Sequence, residues 1–430
     1  MKSIMTIPLY AIMIVSCESL EFSIEDTHSE PIKVLLVDYP VVPVDHPAIA
    51  CMVKKAHQIA DIKWKPLRPI PSLSDEWLPE GNEMWGIPYS SVKEKDKFVG
   101  QEVSFYTFMS AVHNPRSVLY TEDVKNPPYC GTNCGVYYGT VCSMAINYAL
   151  GIERPIESKM YVDLPYIAKV LQQDPSSVYP GDVLWSEGHV VLVLEIEREK
   201  NGAPISFTIL ESAGNTRIKK LPLSTFIERW DKDGWIAYRD LKLADNLHYE
   251  PIPFVINPDD PVMEYSYNSD LCTSRGDRVT FLQGEDVIVN IFNASYDTIE
   301  LYRGDTLISS IAINTNMDDY VFTNLSGGKY SVRLCSQSVV SDFVLFEIVD
   351  EQTIVSQGDL NYVVSFCSNS AVPEYIVICS RDGNRDAIID ITEAELKLGQ
   401  KTITGDYSGK YLKVFYKGLY GRVSNNPIQL

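Results

Sequence analysis

Cys142 and His189 are the two residues whose types and surroundings point to chemistry. Cys142 lies in Gly139-Thr140-Val141-Cys142-Ser143-Met144-Ala145. There, small residues give way to a helical apolar pattern through Ile146, Ala149 and Leu150, which Gly151 stops. His189 lies in Pro180-Gly181-Asp182-Val183-Leu184-Trp185-Ser186-Glu187-Gly188-His189-Val190-Val191. A thiol at a helix N-terminus faces the positive end of the dipole, which lowers its pKa. An imidazole beside it then holds the pair as thiolate and imidazolium. A third group must orient the ring. The strand after the His strand ends in Ile209-Leu210-Glu211-Ser212-Ala213-Gly214, and adjacent strands place Glu211 within reach of His189. Asp182 reads instead as part of a turn that caps the His strand. His113 is the rival base and Cys134 the rival nucleophile, but neither sits in such an ordered context.

Several elements must position these side chains. An amphipathic helix is expected from about Pro47 to Asp61, with Ile49, Met52, Val53, Ala56 and Ile59 on one side. Helices are expected over 141–150, 165–173 and 222–230, and strands over 32–37, 183–196, 206–211 and 235–238. From about 248 the character changes. Pro251, Pro253, Pro258 and Pro261 form a linker, and short alternating strands follow, separated by turns such as Arg303-Gly304-Asp305 and Asp382-Gly383-Asn384. That spacing argues two tandem antiparallel β-sandwich modules.

Composition narrows the partners. Lys plus Arg number 37 against 57 Asp plus Glu, a net charge of −20 with no basic run. Phosphate backbones repel such a chain, so nucleic acid is excluded as a partner. Lys2 followed by the apolar run Ile4 to Val15, too short to span a bilayer, reads as an export signal. It ends in Ile14-Val15-Ser16-Cys17, which looks like a bacterial lipobox with Cys17 as the lipidated residue. The expected location is therefore an exported, membrane-anchored lipoprotein, periplasmic or on the cell surface. Nine cysteines are present. Setting aside Cys17 and Cys142 leaves an odd number, so at least one stays free or pairs between chains. Cys130 and Cys134 flank a short loop without a second pair or a nearby His, so neither a metal nor a cofactor is expected.

The matches Gly86-Ile87-Pro88-Tyr89, Cys142-Ser143, Pro180-Gly181-Asp182-Val183-Leu184-Trp185 and His189-Val190-Val191-Leu192-Val193 together resemble the NlpC-type cysteine peptidases, papain-like hydrolases of bacterial cell walls. The resemblance covers roughly 85–240. Val141 stands where the family has Asp, and Met144 where it has Gly. About fifty residues separate Tyr89 from Cys142, an insert read as a lid or substrate wall. The resemblance implies an α+β papain-like catalytic domain, with Cys142, His189 and Glu211 as catalytic residues. Tyr89, Ser143 and Trp185 become the oxyanion and substrate contacts. The implied substrate is an amide bond in peptidoglycan stem peptides.

The resulting organisation is a signal peptide (1–17), a tether and cap (18–75), the hydrolase domain (76–247), and two β-modules (248–349 and 350–430). The modules are expected to hold the enzyme against wall glycan or a partner protein. Two other readings stay open: an inactive surface lipoprotein binding glycan or protein through its β-modules, and a same-clan hydrolase of lipid or small amides.

Overall fold

The run Val190-Val191-Leu192-Val193-Leu194 forms an inner strand of a six-stranded antiparallel sheet, and its alternation decides what packs on each face. The computed structural model describes residues 40–430, apart from 72–77, 95–96, 99–104, 126–128, 131–134, 153–157, 159–165, 246–253, 258–259, 266–267, 294, 315–316, 359–360, 369–370 and 381–384. The sheet's strands are β1 (Ile167–Lys169), β2 (Asp182–Ser186), β3 (His189–Arg198), β4 (Pro204–Ala213), β5 (Asn215–Pro222) and β6 (Ile236–Asp240). They lie in the order β5-β4-β3-β2-β6-β1. Val190, Leu192 and Leu194 face helices α1 (Pro47–Ala60) and α4 (Cys142–Leu150) in one core. Val191 and Val193 face the opposite way, toward Phe226 and Trp230 of α5 (Leu223–Asp233). There Phe207 stacks on Phe226 with ring centroids 3.7 Å apart. Each fully buried large side chain of this kind contributes about 1.5–3 kcal/mol, so a charge inserted at Val191 or Val193 would break the layer.

Part of the insert between Tyr89 and Cys142 packs into the core. Its helices α2 (Phe105–Val112) and α3 (Val118–Thr121) bury Phe108, Met109, Val112, Leu119 and Tyr120 in the α1/α4 core. Their outer side carries the first β-module. Asn114 donates to the Thr273 carbonyl at 3.0 Å and to Asn290 at 2.7 Å. The Asp277 N–H donates to Ser110 at 2.8 Å, and Arg116 pairs with Asp319 at 3.0 Å.

The expectation of two all-β modules holds. In the first, a three-stranded sheet (Leu271–Thr273, Val287–Ile291, Asp319–Phe322) faces a five-stranded one built on Gly328–Cys335 and Val344–Val349. The alternation is direct: Val287 and Val289 are fully buried, and Ile288 between them is exposed. In the second, Gln352–Gln357, Asn361–Cys367 and Gln400–Thr404 face a sheet centred on Val372–Cys379 and Tyr411–Lys417. Glu347 joins the modules: it is buried and accepts from the Leu419 N–H.

The expected α+β papain-like class is corrected by this architecture. Strand makes up 43% of the described residues and helix 17%. Residues 167–169, expected within a helix, are strand β1. The apolar spacing of Ile167, Val170 and Leu171 suits a helix, but pairing of Lys169 with Tyr238 and of Ile167 with Asp240 overrides it. The single strand expected over 183–196 is a hairpin, β2 and β3, turned at Glu187-Gly188 with Gly188 at φ +79. The expected strand over 32–37 lies outside the described residues, as does Cys17. Among the described residues, no helix is long and apolar enough to cross a membrane.

Candidate functional site

Cys142 is the first residue of α4, and what precedes it matters. The N-cap is Val141, whose side chain accepts nothing, and no acidic residue occupies the first turn. The helix therefore presents bare N–H groups and an unneutralised dipole end at the thiol. Gly151 closes the helix in the left-handed conformation at φ 72, as its place in the sequence suggests. Cys142 itself is 5% exposed.

His189 begins β3, so its ring sits at the sheet rim and has partners on two sides. One is the Cys142 side chain, which favours the protonated ring. The other is Glu211, whose Oε1 lies 3.2 Å from His189 Nε2. That leaves Nδ1 as the ring nitrogen not used by the carboxylate. Glu211 reaches this place through pairing: β4 runs antiparallel to β3, with Leu210 opposite Leu192. Burial of His189 opposes its protonation, but the hydrogen bonds and charges of Cys142 and Glu211 outweigh that and raise its pKa to about 9. Burial of Glu211 likewise opposes its ionisation. His189, Arg229 and Lys219 more than compensate and hold its carboxyl well below the usual carboxylate range. The three predicted catalytic residues are thus brought together in series.

The neighbouring segment is pinned by backbone. Tyr89 bridges Thr140, two residues before Cys142, and Pro88 bridges Asn215. Gly86 permits this approach: at φ +71, a Cβ there would stand 2.0 Å from the Thr216 carbonyl oxygen. Gly86→Ala is therefore expected to cost about 2–4 kcal/mol, read as a lowered urea midpoint, because the obstacle is backbone and cannot rotate aside. A change within about 0.5 kcal/mol would show that the segment relaxes freely.

The other predicted contacts divide. Tyr89 is half-buried, its backbone bridging Thr140 two residues before the nucleophile. Ser143 is buried in the first turn of α4, where its backbone N–H adds to the bare helix end. Trp185 is committed elsewhere, its indole N–H donating to the Ser158 carbonyl at 2.8 Å. Asp182 is the turn residue expected: it receives two bonds of 2.8 Å from the Arg239 guanidinium and one of 2.9 Å from the Tyr179 N–H. The rival base His113 follows α2 at the module junction, where burial pushes its pKa down to about 4. Cys134 lies outside the described residues, as does the side chain of Cys130. Among the described residues, Cys51, Cys142, Cys272, Cys335, Cys367 and Cys379 form no disulfide. No group of three metal-ligating side chains occurs among the described residues.

Sequence reasoning missed Arg229 and Lys219. Arg229 donates to both Glu211 oxygens, at 2.7 and 3.3 Å, and Lys219 to one at 2.5 Å. Neither stands in a motif; only the pairing of β4 with β5 and the seat of α5 bring them to the carboxylate.

No family model and no curated protein matches the chain. Three similar solved structures each cover about a third of it. Fibronectin(III)-like modules of CbhA from Clostridium thermocellum are 14% identical over 34% of this chain and 85% of theirs, at TM-score 0.19. Native alpha-2-macroglobulin from Escherichia coli, domains NIE-MG1, is 10% identical over 38% of this chain and 98% of its own, at 0.17. Domains 3 and 4 of rat CD4 are 9% identical over 35% and 97%, at 0.23.

Proposed function

We propose that this chain is an exported, lipid-anchored cysteine hydrolase that cleaves an amide bond in the stem peptides of peptidoglycan. The observation that carries the chemistry is the series Cys142, His189, Glu211 at an uncapped helix N-terminus. The substrate class rests on the resemblance of the Gly-x-Pro-Tyr, Cys-Ser, Pro-Gly-Asp and His-Val segments to cell-wall peptidases. The Cys142 thiolate attacks the amide carbonyl, and N–H groups of the first turn of α4 stabilise the oxyanion. The C–N bond breaks as the His189 imidazolium gives its proton to the leaving amine, leaving a thioester. Neutral His189 then takes a proton from water, and the resulting hydroxide equivalent releases the acid and restores the thiol. Glu211 keeps the ring oriented throughout.

The test is mass spectrometry of purified muropeptides incubated with the wild type and with Cys142→Ala. The wild type is expected to yield two fragments whose masses sum to the substrate plus one water. Cys142→Ala is expected to lose at least about 10³-fold of that rate. Equal cleavage by both would remove the thiol mechanism. The 5% exposure of Cys142 favours a second reading, an inactive surface protein that binds glycan or protein through its β-modules. Intact muropeptides in both reactions, with retained binding to wall sacculi, would select it.

A further inference from the structure

The carboxylate behind His189 is more heavily partnered than orientation of one ring requires. Glu211 Oε1 accepts from Arg229 Nη2 at 2.7 Å and faces His189 Nε2 at 3.2 Å. Its Oε2 accepts from Lys219 Nζ at 2.5 Å and from Arg229 Nη1 at 3.3 Å. A carboxylate offers about four lone-pair directions, and all are taken. The Glu211 side chain is 5% exposed, so it cannot turn away into water. Arg229 is itself fixed: it pairs with Asp233 at 3.1 Å, and its guanidinium lies 4.7 Å from the Trp235 ring centre. A fixed guanidinium holding both oxygens allows one carboxylate orientation.

Charge gives the arrangement its second consequence. One carboxylate faces two cations, and one of these, Arg229, is itself shared with Asp233. A lone buried carboxylate would stabilise the imidazolium strongly and leave it a poor acid. Two opposing cations weaken that pull. We propose that Arg229 and Lys219 are positioning residues of this site: they lock Glu211 against His189 and offset enough of its charge for the imidazolium to release its proton. The proposal rests on the cysteine-hydrolase reading and adds to it a setting of the working pH.

The other charged groups around the pair are few. Arg217 stands directly opposite Glu211 on β5, Glu187 lies in the turn before His189, and Asp233 sits on α5 beyond Arg229. Cys142 completes the set from α4. Only Arg229 and Lys219 are bonded to the Glu211 oxygens opposite the ring.

The test follows alkylation of Cys142 by iodoacetamide in the full chain from pH 4 to 11, read on the Cys142 peptide by mass spectrometry. In the wild type, the reactivity of Cys142 is expected to show a transition where His189 loses its proton. Lys219→Met is expected to move that transition up by about 0.5 pH unit or more, since a nearby positive charge is gone. Arg229→Gln is expected to move it further the same way, and Arg229→Lys to bring it back toward the wild type. A merely structural role would alter the amount of folded protein without shifting the transition. Unchanged profiles in Lys219→Met and Arg229→Gln would overturn the proposal. If Arg229→Gln does not fold, Lys219→Met decides alone, because Lys219 is 43% exposed. A wild-type Cys142 that reacts only as an ordinary free thiol would instead sink the hydrolase reading beneath it.

Discussion

Glu211→Gln is expected to cut turnover by about 10³-fold while leaving KM within about threefold, because the group it removes acts on the base and not on substrate. An amide cannot hold the ring as an ionised carboxylate does, and Arg229 and Lys219 remain as two cations behind His189. Both effects disfavour the imidazolium. The pH dependence of stability makes the same point. His189 has its folded pKa raised from 6.5 to about 9, so its contribution is full below pH 6.5 and lost as pH rises through about 9. In Glu211→Gln that fall between pH 6.5 and 9 should flatten. Urea unfolding at pH 6, 7.5 and 9 reads the stability part, and muropeptide turnover the catalytic part. A variant with wild-type turnover would remove Glu211 from the site.

Asp182→Ala is expected to cost about 3–5 kcal/mol, since it leaves a buried guanidinium uncompensated. The Asp182 side chain is 1% exposed and that of Arg239 4%, and the two share paired bonds of 2.8 Å. This pair fixes the start of β2 against β6, and β2 carries the hairpin that ends in His189. The contrasting surface pair is Lys220 with Glu197, at 2.9 Å and more than half exposed on both sides. Glu197→Gln is expected to change stability by less than about 0.5 kcal/mol. Urea midpoints of the two variants at neutral pH check the contrast. Equal small losses would show that water reaches the buried pair.

Where one residue type serves one local purpose, the chain was legible before any coordinates. The helix at Cys142, its stop at Gly151, the turn role of Asp182, the reach of Glu211 to His189 and the strands of both sandwiches all follow from local pattern. What failed was competition between local pattern and long-range pairing. Ile167 to Lys169 carry a helical spacing, but β6 needed an edge partner. The α+β assignment went with it, because strand outweighs helix 43% to 17%. The hairpin at Glu187-Gly188 was hidden by the uniform apolar run on its second arm. The insert's role as a platform was illegible because Asn114 and Ser110 find their partners more than 150 positions away. Arg229 and Lys219 were missed for the same reason: each meets Glu211 only after β4, β5 and α5 have packed.

The central claim is that His189 serves Cys142 as its acid and base, and NMR titration of the His189 ring tests it most directly. Carbon-labelled histidine in the wild type should report a midpoint near 9. In Cys142→Ala, with a side chain that raises the ring's pKa removed, the midpoint should fall by about 1 pH unit or more. A His189 that titrates near 6.5 in both proteins would contradict the account.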